Sequence, residues 1–263
     1  MKLLNYIEKG TGYPIIFLHG LFGSSSVWSR IAGRFKNNYR CVLPDLDGHG
    51  SSPSPEVISY PDMAGSVVKL LDELGIGKCI CVGHSMGGKT AMAAALDFPE
   101  YFDGIGVVDI APKNYGSVHN TIIQAMRNVH PEELDKRKEG DERLASSVSD
   151  PVIRSFLLKN LVRREEGGYR WRIDLDMLDR SADNLASWPG RYSGGKYEGP
   201  VLFLSGERSD YFTGQDKESA KEYFPHAQIT VMKDAGHWIH FDQYENFTKT
   251  LTAFIARILN ENS

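Results

Sequence analysis

The sequence predicts an α/β protein: a mostly parallel central sheet with helices on both faces and a helical segment inserted between two core strands. Three observations carry that expectation. Short, continuously apolar runs recur along the chain, as strands buried on both faces require. Segments with apolar residues at helical spacing lie between them, and strands alternating with helices imply a parallel sheet. From about Pro112 to Pro189 that alternation stops, and helical patches stand among charge runs instead.

Leu3 to Glu8 reads as a first strand, and the Gly10-Thr11-Gly12 turn returns the chain into the apolar run Pro14 to Leu18. Tyr39 to Leu43, Cys79 to Val82, Ile105 to Val108 and Val201 to Leu204 repeat the signature, and Gln228 to Met232 is an alternating version of it. Val67, Val68, Leu70, Leu71 and Leu74 mark one helix, and Met86 to Phe98 marks another. Phe247, Leu251, Phe254, Ile255, Ile258 and Leu259 form a core-facing stripe on a last helix. The segment between the fifth and sixth of these strands carries helical patches at Thr121 to Val129 and Val152 to Leu161, beside the charge run Asp135 to Glu139. It reads as a cap over the carboxyl edge of the sheet. The expected division is residues 1–111 as the first part of the core, 112–190 as the helical cap or lid, and 191–263 as the second part of the core.

A chain of 263 residues buries a sizeable core without disulfide or metal staples. Hydrophobic residues at 41% and charged residues at 24% exclude bulk disorder. With 30 basic and 34 acidic residues the net charge is −4, which argues against nucleic acid or an anionic membrane as partner. No run approaches the roughly 18 apolar residues of a membrane span, and Lys2 to Lys9 breaks into charge before a secretory apolar segment forms. Three cysteines cannot all pair within one chain. Cys79 and Cys81 point to the same side of a strand, which is poor geometry for a bridge, and no partner spacing supports a metal site on them. A reduced, cytoplasmic protein is expected.

Gly83-His84-Ser85-Met86-Gly87 matches G-x-S-x-G, follows an expected strand and opens an expected helix. That is the context of a nucleophile elbow, in which the helix amino end points its N–H groups at developing negative charge. A serine nucleophile needs a base, and the base an orienting acid, in the chain order Ser, acid, His. His237, in the loop Gly236-His237-Trp238 before the final helix, is the expected base; His240 is the runner-up. His19 and His49 precede Ser85 and read as loop braces, and His84 is expected on the opposite side of the turn. The acid stays open between Asp109, at the end of one strand, and Asp210, just beyond another; Asp216 and Asp234 read as helix-cap and turn residues. The backbone N–H groups of Met86 and Leu21 are the expected oxyanion hole, with Gly20 letting the backbone approach. Phe22 and Trp238 flank the chemistry as substrate-binding walls. Tyr115, Trp171, Trp188 and Tyr192 read equally as acyl-pocket lining or as the cap's own core.

The segments His19 to Ser24 (HGLFGS), Asp45 to Ser52 (DLDGHGSS), Gly83 to Met92 (GHSMGGKTAM), Val108 to Pro112 (VDIAP), Phe156 to Leu161 and Tyr169 to Ile173 together carry a family resemblance. The sequence resembles the α/β-hydrolase superfamily, and within it is most similar to the YbfF-type bacterial esterases and their animal relatives, over essentially the whole chain. That resemblance implies a hydrolase of carboxylic esters or acyl thioesters that uses no cofactor. It also implies Asp109 as the acid, with a serine, here Ser209, in the loop where other hydrolases carry Asp. This sequence departs by placing Asp210 directly after Ser209, which leaves a shared or shifted acid open. Other readings stand beside the esterase. An acyl-CoA or acyl-carrier thioesterase would use the basic residues Lys136, Arg137, Lys138, Arg163 and Arg164 to meet phosphates. A lyase or carbon–carbon hydrolase would reuse the same triad, and a non-catalytic ligand-binding fold would not use it.

Overall fold

In the computed structural model, which describes residues 2–116 and 118–261, the apolar runs of the sequence become the interior strands of one sheet. The first part of the core contains β1 (Tyr6–Lys9), β2 (Tyr13–Leu18), α1 (Ser29–Phe35), β3 (Tyr39–Pro44), α2 (Tyr60–Glu73), β4 (Cys79–His84), α3 (Met86–Asp97) and β5 (Phe102–Val108). The segment that follows contains α4 (Val118–Arg127), α5 (Arg137–Ala145), α6 (Pro151–Leu158), β6 (Leu161–Arg163), β7 (Tyr169–Trp171), α7 (Leu175–Arg180) and α8 (Ala182–Ala186). Then come β8 (Val201–Gly206), α9 (Asp216–Tyr223), β9 (Ala227–Met232), α10 (Ile239–Asp242) and α11 (Tyr244–Glu261).

Among the described residues seven strands form the main sheet, in the order β1-β3-β2-β4-β5-β8-β9. Only the β1–β3 pair in it is antiparallel. β1 begins at Tyr6 rather than Leu3 and is mostly exposed, because it is an edge strand that needs no continuous apolar run. β4 is buried along its whole length, as a central parallel strand must be.

Successive side chains sort to opposite faces with a period of two. Ile15, Phe17, Cys41, Leu43, Ile80 and Val82 meet α1 and the α11 stripe of Phe247, Leu251, Phe254, Ile255 and Ile258 on one face. Ile16, Leu18, Val42, Cys79 and Cys81 meet α2 and α3 on the other. The three cysteines are buried and free. No helix among the described residues is long and apolar enough to cross a membrane.

The segment between β5 and β8 contributes no strand to the main sheet. It does contain an antiparallel pair, β6 with β7, that the sequence reading missed. Each of these strands has three residues and none is fully buried, so neither produces an apolar run. Trp171 donates its indole N–H to the Met126 carbonyl at 2.9 Å, and Trp188 packs on Tyr192 with ring centroids 5.2 Å apart. None of these three lines the cavity beside Ser85 described below; Trp188 also packs edge-on against Tyr223, and the Tyr192 hydroxyl donates to Asp97 at 2.7 Å, so both join the segment to the core.

One buried carboxylate organises the loops under the expected oxyanion hole. Asp45 accepts from the Ser25 N–H at 2.7 Å, the Ser51 N–H at 2.9 Å and the Asn5 side-chain amide at 2.8 Å. The neighbouring Leu46 N–H donates to His19 Nε2 at 2.9 Å, and the Phe22 N–H donates to His49 Nε2 at 3.3 Å. His19 and His49 therefore brace loops, as expected. Burial alone would raise the Asp45 pKa, but the donors outweigh it and hold the carboxyl below its ordinary 3.8. The stabilisation is thus complete above the unfolded value and is lost as pH falls below it. Asp45→Asn is expected to cost about 2 kcal/mol at neutral pH and to flatten the acid limb of stability, as read by denaturant titration across that range.

Candidate active site

β4 delivers the chain to Ser85 at φ 52° and ψ −117°, a region that a non-glycine residue occupies only where its surroundings force it. The turn is that tight because backbone crosses it on both sides. A Cβ on Gly83 would lie 2.1 Å from the Gly87 carbonyl oxygen, and one on Gly87 would lie 2.4 Å from that of Leu18. The Ser85 N–H is pinned to the Val108 carbonyl at 2.9 Å, which ties the elbow to the end of β5. Met86 is the first residue of α3, so its N–H has no acceptor within the helix.

Asp109 follows β5 directly and is fully buried. Its backbone N–H donates to the Leu204 carbonyl at 2.8 Å, and its Oδ1 accepts from the Gly206 N–H at 2.9 Å. Its Oδ2 accepts both a short hydrogen bond from the Ser209 hydroxyl and the His237 Nδ1–H at 2.7 Å. A carboxylate can only accept, so Nδ1 of His237 carries the proton and Nε2 is left as the basic nitrogen. Asp210 is exposed and lines a separate surface depression with Glu207 and Lys217. Asp109, not Asp210, is the carboxylate bonded to His237, and the Ser209 hydroxyl is bonded to the same carboxylate. Asp216 accepts from the Thr213 N–H at 2.7 Å and Asp234 sits at a turn with φ 56°, both in the structural roles expected of them.

His237 is held by its neighbours as well as by its acid. The Tyr211 ring stacks on it at 4.0 Å and 26°. His84 Nε2 donates to the His237 carbonyl at 2.9 Å, with the two rings 4.6 Å apart. The sequence places His84 beside Ser85 but on the opposite side of the turn; in the structure it lines the same cavity as Ser85 and His237. Burial above all, then the neighbouring His237 and His240, pushes the His84 pKa far down and keeps it a neutral donor. His240 is equally buried and stacks on Trp28 at 4.6 Å, which excludes it as the base facing Ser85.

Ser85 and His237 open on one cavity of about 200 Å³. Leu21, Phe22 and Val27 line it from the core, Trp238 and Tyr211 from beside the histidine, and Ile122, Ile153, Phe156 and Leu157 from the inserted segment. Asn160 of that segment donates to the Phe22 carbonyl at 2.8 Å and so ties it to the loop that carries Leu21. The sequence reading missed Tyr211 and the aliphatic residues of α4 and α6. Of these, Tyr211 alone left a signal, lying two residues after Ser209.

Fold and site together define the architecture of a hydrolase built on a mostly parallel sheet, with a serine on a strand–helix elbow. Residues 13–244 match the family model of the α/β hydrolase fold, and the chain belongs to that family. It is similar to sn-1-specific diacylglycerol lipase ABHD11 of Mus musculus, at 39% identity over 262 residues, covering 96% of this chain and 84% of that protein. Esterase YbfF of Escherichia coli is 29% identical over 243 residues, with 92% of each chain covered. A solved structure described as a marine microorganism esterase superposes with a TM-score of 0.92 at 36% identity, covering 96% of this chain and 99% of that one.

Asp109→Asn is expected to lower kcat/KM for a p-nitrophenyl ester by about a thousandfold or more, while Asp210→Asn stays within about twofold. Ser209→Ala is expected between them, near tenfold, since it removes one of several hydrogen bonds to the acid. Steady-state kinetics of the three purified variants beside wild type read all of this.

Proposed function

We propose that Ser85, His237 and Asp109 carry the reaction of this carboxylic ester hydrolase, with Ser209 as an auxiliary partner to the acid. His237 Nε2 takes the Ser85 proton as Oγ attacks the ester carbonyl. The N–H groups of Leu21 and Met86 receive the oxyanion, and His237 then protonates the departing alcohol. Water, activated by the same nitrogen, releases the acid from the acyl-enzyme on Ser85. The observation that carries this reading is the buried Asp109 carboxylate, which holds Nδ1 of a histidine that shares an apolar cavity with a serine on a strained elbow.

The cavity walls are almost wholly apolar, which suits acyl chains of small to medium length with Phe22 and Trp238 against them. Residues 112–190 act as a lid in this reading, since α4 and α6 supply one side of that cavity. The free, buried cysteines suit a reducing cytoplasm. A thioesterase finds less support, because several cations it would need are engaged locally. Lys138 pairs with Glu142, Arg164 pairs with Glu166, Arg137 donates to the Leu158 carbonyl, and Arg163 lies over the Tyr169 ring.

Hydrolysis of p-nitrophenyl esters from acetate to palmitate, wild type beside Ser85→Ala, tests the proposal. Wild type should favour the shorter half of the series, and Ser85→Ala should lose at least about a thousandfold in rate while melting like wild type. More than a trace of activity in Ser85→Ala sinks the nucleophile assignment. Failure of wild-type Ser85 to label with a fluorophosphonate sinks the catalytic reading as a whole.

A further inference from the structure

Lys89 is a group the mechanism does not use. It lies one helical turn after Ser85 in α3, donates its backbone N–H to the Ser85 carbonyl at 3.0 Å, and is 1% exposed. A lysine is rarely buried to this extent without a partner for its ammonium. Here the partners are main-chain carbonyls of the inserted segment where it returns to the core. Nζ donates to Ser187 O at 2.8 Å and to Ala186 O at 3.4 Å. The preceding carbonyl, Leu185 O, accepts the Tyr60 hydroxyl at 2.7 Å. Three consecutive carbonyls of the returning chain are thus held by two side chains of α2 and α3.

The same ammonium faces two aromatic rings, Tyr60 at 5.1 Å and Tyr115 at 4.7 Å, within the range of cation–π attraction. Tyr115 links this cluster to the catalytic histidine: it donates its hydroxyl to the Tyr211 carbonyl and stacks on the Tyr211 ring at 5.6 Å, and Tyr211 stacks on His237. Leu185, Tyr115 and Tyr211 line a second, smaller cavity that Ser85, Met86 and Leu21 also face. Burial first, and Lys113 second, push the Lys89 amine down to about 7; Lys113 itself is paired with Asp216 at 2.8 Å.

We propose that Lys89 is a positioning residue: it fastens the returning leg of the inserted segment, residues 182–188, to the nucleophile helix and so fixes the aromatic wall behind Ser85 against which substrate is fitted. The inference rests on the serine-esterase reading above. It assigns Lys89 to substrate fit and not to the bond-breaking step, because its hydrogen bonds go to the inserted segment's backbone and its aromatic contacts go to the wall.

Two variants test it. Lys89→Met removes the donor, and Tyr60→Phe removes the parallel hydroxyl while keeping the ring, so it remains informative if Lys89→Met does not fold. On p-nitrophenyl butyrate, KM is expected to rise about tenfold in Lys89→Met and about threefold in Tyr60→Phe, with kcat within about threefold of wild type in both. Amide hydrogen exchange across 182–188 should quicken in both. A lower melting temperature with unchanged KM and unchanged exchange in both variants overturns the proposal, leaving Lys89 a purely structural residue. A fall in kcat with KM and exchange unchanged also overturns it, since Lys89 would then act on the chemical step. If wild type hydrolyses no ester and Ser85 resists a fluorophosphonate, the esterase reading fails on its own, and unchanged exchange across 182–188 in both variants separately overturns the latch.

Discussion

The Asp109 carboxylate is the constraint on which the rest of the site depends. It sits in a fully buried position, where an unpaired negative charge would be too costly to keep. The fold surrounds it with donors from separate parts of the chain: the Gly206 amide at the end of β8, the Ser209 hydroxyl in the next loop, and the His237 ring after β9. Satisfying the charge and orienting the histidine are therefore one event. The direction of each loop leaving the carboxyl edge of β5, β8 and β9 follows from the need to reach those two oxygens.

The sheet makes that convergence reproducible. β4 and β5 pair so that His84 stands beside Val108, and β5 and β8 pair so that Val108 stands beside Leu204. The residues just past these ends are Ser85, Asp109 and the turn that leads to Ser209. A slip of one residue between neighbouring strands would turn their side chains to the other face and separate serine from acid. β4, β5 and β8 are buried on both faces, so their register is held by how individual side chains pack and by the bonds from the Ser85 N–H to the Val108 carbonyl and from the Asp109 N–H to the Leu204 carbonyl.

Much of this was legible in the sequence because it is local. The inner strands are continuous apolar runs, the elbow is a five-residue motif between a strand and a helix, and His237 sits in a loop whose place in chain order is fixed. What was hidden depends on contacts between distant segments. The choice between Asp109 and Asp210 turns on which side chain faces inward, and two acidic residues after two strands look alike until the strands are laid side by side. The placement of His84 depends on the His237 carbonyl, more than 150 residues away. β6 and β7 were missed because three-residue, half-exposed strands leave no period to detect. Lys89 was missed because nothing in the letters GGKTAM distinguishes a lysine bonded to remote carbonyls from one facing water.

The inserted segment occupies the crossover between β5 and β8, two adjacent parallel strands. A parallel pair cannot be joined by a tight turn, so a connection of some length was needed there in any case. Lengthening an obligatory connection adds to closure entropy only as the logarithm of its size. The residues at the sheet's carboxyl edge and the segment that supplies one side of the cavity are consequently specified by separate constraints. One set is locked by strand register, and the other can change in length at little entropic cost, provided it still docks on the helix that follows Ser85.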